Sequence, residues 1–428
     1  MKAPLSLRLS CLLLALAVGG VAAAPKPPTP TPTPPPATPT PTPFKVPAKR
    51  VRHKHEGQAP HAGGKLGDPL ADLTHDQLAA FTDGLGEFEN VETPESGLGP
   101  IFNNTSCAIC HSAPVTGGGS ATLVTRFGRM DGSHFDPLEQ LGGTLLQSKS
   151  IDPGILEVVP PEATIIAHRK SSPLFGAGLV EAISDADIQA VARRTNKPDG
   201  VMGRAAVLQD VSTGQMRVGR FGWKAQHATL LSFAADAYLN EMGITNRFFP
   251  TENAPNGDLE KLAEYDHVAD PEDVVDPATG KSDIDLAADF MRYLAPPHPP
   301  KVTSAVTLGF NLFERLGCAE CHIPSYNTGP NKVRALDHKQ VLLFSDLLVH
   351  DMGSLNDGIE QASTLGNEMK TAPLWGLKNN GPYLHDGRAP TINDAIRAHD
   401  GEGQKARDRF EKLTTSQQRQ LLDFLNSL

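Results

Sequence analysis

CAICH at Cys107–His111 and CAECH at Cys318–His322 decide how this chain is read. Both are C-x-x-C-H, and together they hold four of the five cysteines in 428 residues. With 5 cysteines and 15 histidines available, a given cysteine meets Cys at +3 and His at +4 by chance roughly once in 2,400, and here it happens twice. At the start of a helix, residues three and four apart share a face, so two thiols and an imidazole converge. Covalent haem attachment needs that convergence. The thiols Cys107 and Cys110, or Cys318 and Cys321, add to the two vinyl groups, while His111 or His322 reaches the iron from the proximal side. A four-cysteine zinc centre or a redox dithiol could draw on the same cysteines, but neither requires a histidine directly after each pair. Two covalent c-type haems are therefore expected, one in each half.

The fifth cysteine, Cys11, falls in a leader. Lys2 and Arg8 supply charge, Cys11 to Val18 an apolar core, and Val21, Ala22 and Ala23 small residues for cleavage. A signal peptide over 1–24 implies a protein of the periplasm or cell exterior, membrane-bound only if that segment is retained. From Pro25 to Pro43 proline alternates with threonine, so 25–65 reads as a stiff, extended linker. No later run reaches 18 apolar residues, which argues against a second crossing. The net charge of −10 lacks the clustered basic surface that nucleic acid needs, and 39% apolar content is that of a globular chain.

The two halves echo each other. Ser172–Gly176 (SPLFG) begins 61 residues after His111, and Ala372–Gly376 (APLWG) begins 50 after His322. Trp223 to Ala237 and His385 to His399 share small and apolar positions and a threonine at the same offset. Periodicity predicts helices at Asp185–Arg194, Ala228–Met242, Asp283–Leu294, Val302–Leu316, Thr391–His399 and Thr415–Leu425, with little strand. The expected fold is mainly α, with two cytochrome c-like domains, the first over 66–300 enlarged by insertions and the second over 301–428.

FGRMDGSHFDPLEQLGG (127–143), SPLFGAGLVEAI (172–183), GRFGWKAQHATL (219–230), LLVHDMG (347–353), APLWGL (372–377) and PYLHDGRAPTINDAIRAHDGEG (382–403) resemble the di-haem oxidoreductase family, sometimes labelled thiol oxidoreductases. That family is similar to the bacterial di-haem cytochrome c peroxidases and to the methylamine dehydrogenase maturation enzyme. The resemblance implies two packed cytochrome c folds, with electrons passing between a high-potential haem and a reactive one. It also implies a Ca²⁺ between the domains, a small donor protein such as a cytochrome or cupredoxin, and a peroxide-like substrate. In those peroxidases the residue 14 after the His of the HDG motif is the sixth ligand of the C-terminal haem. Counting from His385 gives His399, hence a bis-histidine iron suited to electron transfer. His350 and Met352 are the next candidates. By repeat the matching residue in the first half is Ala237, which cannot bind iron, so the first haem is expected to be open and reactive. His134, Met130, His168 and Tyr238 are the residues that could close it.

Peroxide cleavage asks for a carboxylate or imidazole that moves a proton in an apolar pocket, and Glu181 is the expected catalytic residue, unless it caps the helix starting near Ser184. Asp386 and Arg388 read as contacts to haem propionates or as loop braces, and Trp223 and Trp375 as aromatics between the haems. The expected function is thus an exported di-haem oxidoreductase of peroxidase type. The alternative is a non-catalytic electron-transfer cytochrome. An oxidase acting on thiols, as the family label hints, would need a thiol pocket that the sequence does not display.

Overall fold

Two helices pack closely in the first half because the sequence lets their backbones approach. His75–Glu89 starts at Thr74, whose hydroxyl accepts from the Gln77 amide while the Gln77 side chain accepts from the Thr74 amide. Asp283–Tyr293 starts at Ser282 with the same reciprocal bonding to Asp285. They meet at Gly84, where an added Cβ would lie 2.3 Å from the Leu286 carbonyl oxygen. Phe81 and Phe88 close on Phe290 with ring centres 5.4 and 4.7 Å away. A third helix, Leu230–Met242, is capped by the Thr229 hydroxyl and stopped by Gly243 in the left-handed region (φ 69°). Its Leu230, Ala234, Ala235 and Tyr238 complete this core, which also takes in Ile323, Tyr326 and Leu336 from later in the chain.

The structure is a computed structural model that describes residues 63–195 and 197–428. The signal peptide expected over 1–24 and nearly all of the 25–65 linker lie outside the described residues. Gly64 is already tied to the fold, its amide donating to the Pro296 carbonyl at 3.1 Å. A second core gathers on Ser304–Leu316 and Thr415–Leu425, where Phe313, Phe344 and Phe424 meet edge to face with centres 5.3–6.2 Å apart. Ser304–Leu316 ends at Gly317 (φ 91°), which turns the chain directly into Cys318. Among the described residues no helix is long and apolar enough to cross a membrane.

All six predicted helices form, with ends shifted by no more than two residues. His75–Glu89, Leu259–Tyr265 and Gln404–Glu411 were not anticipated; the first carries Gly84 and Gly86, which weaken any helix signal. The expectation of a mainly α protein is corrected. Among the described residues helix makes up 35% and strand 15%, a mixed content. The largest sheet is antiparallel, with Leu123–Asp131 between His134–Asp136 and Ile165–Lys170. Burial along Leu123–Asp131 rises to a block in the middle instead of alternating, so the period-two signature is absent. A tight turn at Gly132 (φ 60°) and Ser133 joins the first pair.

Buried cations link these segments. Arg169 Nε donates to Asp357 Oδ2 at 2.6 Å, and Lys224 Nζ lies 3.0 Å from Asp357 Oδ1, all three side chains at most 4% exposed. Lys224 Nζ also donates to the carbonyls of Leu365, Gly366 and Glu368. Asp357→Asn would leave two buried cations without their shared anion. It should cost about 3–5 kcal/mol of unfolding free energy in urea titrations followed by far-UV circular dichroism.

Candidate functional site

Each C-x-x-C-H segment turns its thiols and imidazole onto a cavity. Cys107–Cys110 is a single helical turn, closed by the His111 amide donating to the Cys107 carbonyl at 3.1 Å. Cys318–Glu320 is a tighter turn, closed by the His322 amide donating to the Cys318 carbonyl at 2.9 Å. Cys107, Cys110 and His111 line a cavity of about 260 Å³; Cys318, Cys321 and His322 line another of about 210 Å³. The two pairs thus serve different cavities and do not form one four-cysteine zinc centre. All four thiols are free, and burial pushes Cys107 and Cys318 up to about 12, the reverse of a reactive dithiol.

The histidines share one arrangement. His111 Nδ1 donates to the Gly118 carbonyl at 3.0 Å, His322 Nδ1 to Phe344 at 3.0 Å, and His399 Nδ1 to Ala395 at 2.8 Å. With the proton held on Nδ1, Nε2 keeps the lone pair a metal requires. Burial lowers the pKa of all three, His322 to about 4, and so keeps them neutral. His399 closes the helix Ile392–Ala398, and its ring centre lies 6.4 Å from that of His322 across the second cavity. One metal bonded at about 2 Å to a nitrogen of each ring, with each ring centre about 1 Å behind its nitrogen, requires about 6 Å. The donor set fits a haem.

The other candidates in the second half separate clearly. His350 is buried with both ring nitrogens against carboxylates, Nε2 3.0 Å from Asp346 and Nδ1 2.7 Å from Glu402. Burial is the largest single influence and opposes its charge, but Asp346 and Cys321 together outweigh it and raise its pKa well above the ordinary value. A cation donating from both nitrogens has no lone pair for iron. Met352 lines the cavity, as does His385, lowered to about 4 by burial. Asp386 accepts from Arg388 Nε, a brace within the loop.

Among the described residues His111 is the only histidine that lines the first cavity, and Ala237 is present as the repeat implied. His134 and His168 are exposed, Met130 is 39% exposed, and none of the three reaches the cavity. Tyr238 does line it, its hydroxyl donating to Glu87 at 2.7 Å. Glu181 is corrected as a catalytic residue. It lines neither cavity, and its carboxylate accepts from the Leu230 amide at 2.8 Å and from Arg292 Nε at 3.0 Å, holding the start of one helix against another. Instead the acids on the cavity are Asp236 and Glu241, with Arg126 beside them. Asp236 Oδ2 lies 3.2 Å from His227 Nε2; burial raises the Asp236 pKa, but His227 and its other partners outweigh that and hold it low. Burial pushes Glu241 up, against the pull of Arg126 and the Asn103 amide. Two acids inside the apolar stretch Leu230–Met242 were visible in the sequence and could have been singled out. A polar cleft of about 370 Å³ shares Arg126 and Asp236 with this cavity.

Between the cavities lie Lys170, Trp223 and Asn380, which line both, while Trp375 lines the first. Lys170 Nζ donates to the Asn380 carbonyl (2.9 Å), the Asn380 side chain (3.2 Å) and the Pro382 carbonyl (2.6 Å). Those oxygens are already held by an ammonium, so this gap does not fit the Ca²⁺ implied between the domains.

The profile of the family described as "Di-haem oxidoreductase, putative peroxidase" matches residues 157–428. Among solved structures, the chain is similar to Kuenenia stuttgartiensis hydrazine synthase pressurized with xenon, at 15% identity over 89% of this chain and 99% of that one (TM-score 0.40). It is also similar to a MauG-like protein associated with microbial copper homeostasis, at 15% identity over 87% and 93% (TM-score 0.35). No curated protein matches.

The charged His350 contributes to stability with a definite sign. Its folded pKa lies above the ordinary 6.5, so its contribution is complete below about pH 6.5 and fades as pH rises toward the raised value. His350→Gln should therefore cost most near pH 6 and progressively less above pH 7, as read from urea unfolding at a series of pH values.

Proposed function

The chain belongs to the di-haem oxidoreductase family, and on that premise we propose that it is an exported c-type cytochrome that reduces a peroxide. In this reading Cys107 and Cys110 hold one haem by thioether bonds, with His111 on its iron. Cys318 and Cys321 hold the other, between His322 and His399. Residues 66–300 and 301–428 are its two cytochrome c-like domains. The observation that carries the reading is the unequal furnishing of the cavities: two neutral imidazoles 6.4 Å apart in the second, and one imidazole with carboxyl groups in the first. Iron held by two imidazoles suits electron intake from a small cytochrome or cupredoxin.

Bound haem supplies one-electron chemistry at iron. Reducing a peroxide to two waters also takes two protons, and these fall to the chain. Glu241, whose pKa burial raises, can hold a proton at the cavity and release it. Asp236 is held ionised against His227, and with Arg126 it marks where the polar cleft meets the cavity, a route for peroxide and water. Trp223 lines both cavities and spans the interval that electrons cross.

The rival reading is the non-catalytic electron-transfer cytochrome. It draws on Met242 and Met291, buried core residues that also line the first cavity and could supply a thioether ligand. Low-temperature EPR of the ferric protein separates the two. A peroxidase should show a high-spin signal beside a low-spin one, with only the former altered by peroxide after half-reduction; two unreactive low-spin signals would establish the rival. In steady-state assays Glu241→Gln should slow peroxide turnover by about 10²–10⁴-fold with both haems retained. Unchanged turnover would remove Glu241 from the reaction.

A further inference from the structure

Away from both cavities, Glu252, Asp270 and Glu272 bring carboxylate oxygens within 4.8 Å of one another. Glu252 is 7% exposed; its Oε2 is fully buried without a hydrogen-bond partner, and its Oε1 accepts from the Asn253 amide at 3.1 Å. The charged groups that act on it, Glu272, Asp270 and Asp266, are all acidic. Burial and Glu272 push its carboxyl up to about 9. The Thr245 hydroxyl faces both Asp270 Oδ1 and Glu272 Oε2, and Glu272 Oε2 also accepts from the Thr245 amide at 2.6 Å, so these two acids have donors while Glu252 Oε2 has none. A buried orphan oxygen aimed into a set of carboxylates lacks a positive charge.

We propose that Glu252, Asp270 and Glu272, with the Thr245 hydroxyl, form a calcium site. The donors are all hard oxygens, which excludes the metals that prefer sulfur or imidazole. They come from well-separated points in two loops, an irregular set that calcium accepts with six to eight oxygens and that magnesium, with its strict octahedron, does not. Asp270 is exposed, so an ion can enter and keep water ligands. The bound ion ties the segment after Leu230–Met242 to the loop whose Asp273 accepts from the Ser282 hydroxyl and the Asp283 amide at the head of Asp283–Tyr293. It thereby braces two of the helices that wall the first cavity. It is distinct from a calcium between the domains, where Lys170 holds the oxygens.

The test is isothermal titration of the full-length haem-loaded protein, stripped with chelator and dialysed, with calcium chloride or magnesium chloride. One calcium should bind per chain with Kd of about 10⁻⁷–10⁻⁵ M, raising the thermal midpoint read by far-UV circular dichroism. Glu252→Gln should abolish that binding. Asp270→Asn, at an exposed position that does not endanger folding, should weaken it about tenfold or more. No calcium uptake by the parent protein, binding unchanged in Asp270→Asn, or magnesium bound as tightly as calcium would each overturn the site.

Discussion

An imidazole serves a metal only through the nitrogen that carries no proton, and here backbone carbonyls decide which one that is. Gly118, Phe344 and Ala395 each take the Nδ1 proton of a histidine, and much of the local backbone exists to aim those carbonyls. Gly118 sits where an added Cβ would lie 2.1 Å from the Ala113 carbonyl oxygen, so the loop after His111 folds back only with glycine there. Phe344 is a bulky residue in the left-handed region (φ 54°), a conformation that costs about 1–2 kcal/mol. Its ring, wedged between Phe313 and Phe424, holds it there. Core packing is thereby coupled to the orientation of His322.

The same backbone scheme appears twice, and one position makes the difference. Thr229 and Thr391, at equal offsets from Trp223 and His385, each cap a helix that lines a cavity. Eight residues on, one helix offers Ala237 and the other ends at His399. A methyl group leaves the first cavity with His111 alone and turns it over to the acids of its own helix; an imidazole completes a pair in the second. The divergence of the repeat, more than the repeat itself, is what the proposed division of tasks between the two haems rests on.

Much of this was legible locally. The C-x-x-C-H spacings, the six periodic helices and the count from His385 to His399 all depend on residues near one another in sequence, and the structure brings His399 to His322. Glu181 could not be read that way. Its partners, Leu230 and Arg292, lie 49 and 111 residues on, and nothing within GLVEAI tells which way a five-residue helix faces. The sheet was hidden for a related reason, since Leu123–Asp131 takes its register from residues 165–170. Asp236 and Glu241 were a missed opportunity: acids within an apolar helix seldom persist without a partner or a task.

The wall between the cavities bears on how electrons and protons are kept apart. The residues lining both sides include two lysines, Lys170 and Lys370, each lowered to about 8 by burial, and no carboxylate. Trp223 stands among them, its Nε1 donating to the Lys170 carbonyl. The indole offers a path for an electron, while its charged neighbours on the wall are two ammonium groups with no carboxylate to take a proton from them. In the first cavity the acids Asp236 and Glu241 lie with Arg126, and Asp236 and Arg126 open toward the polar cleft. In the proposed reading, protons reach the first haem from the cleft and electrons reach it through the wall. The two streams then meet only where the peroxide is bound, which keeps the second haem a carrier of electrons alone.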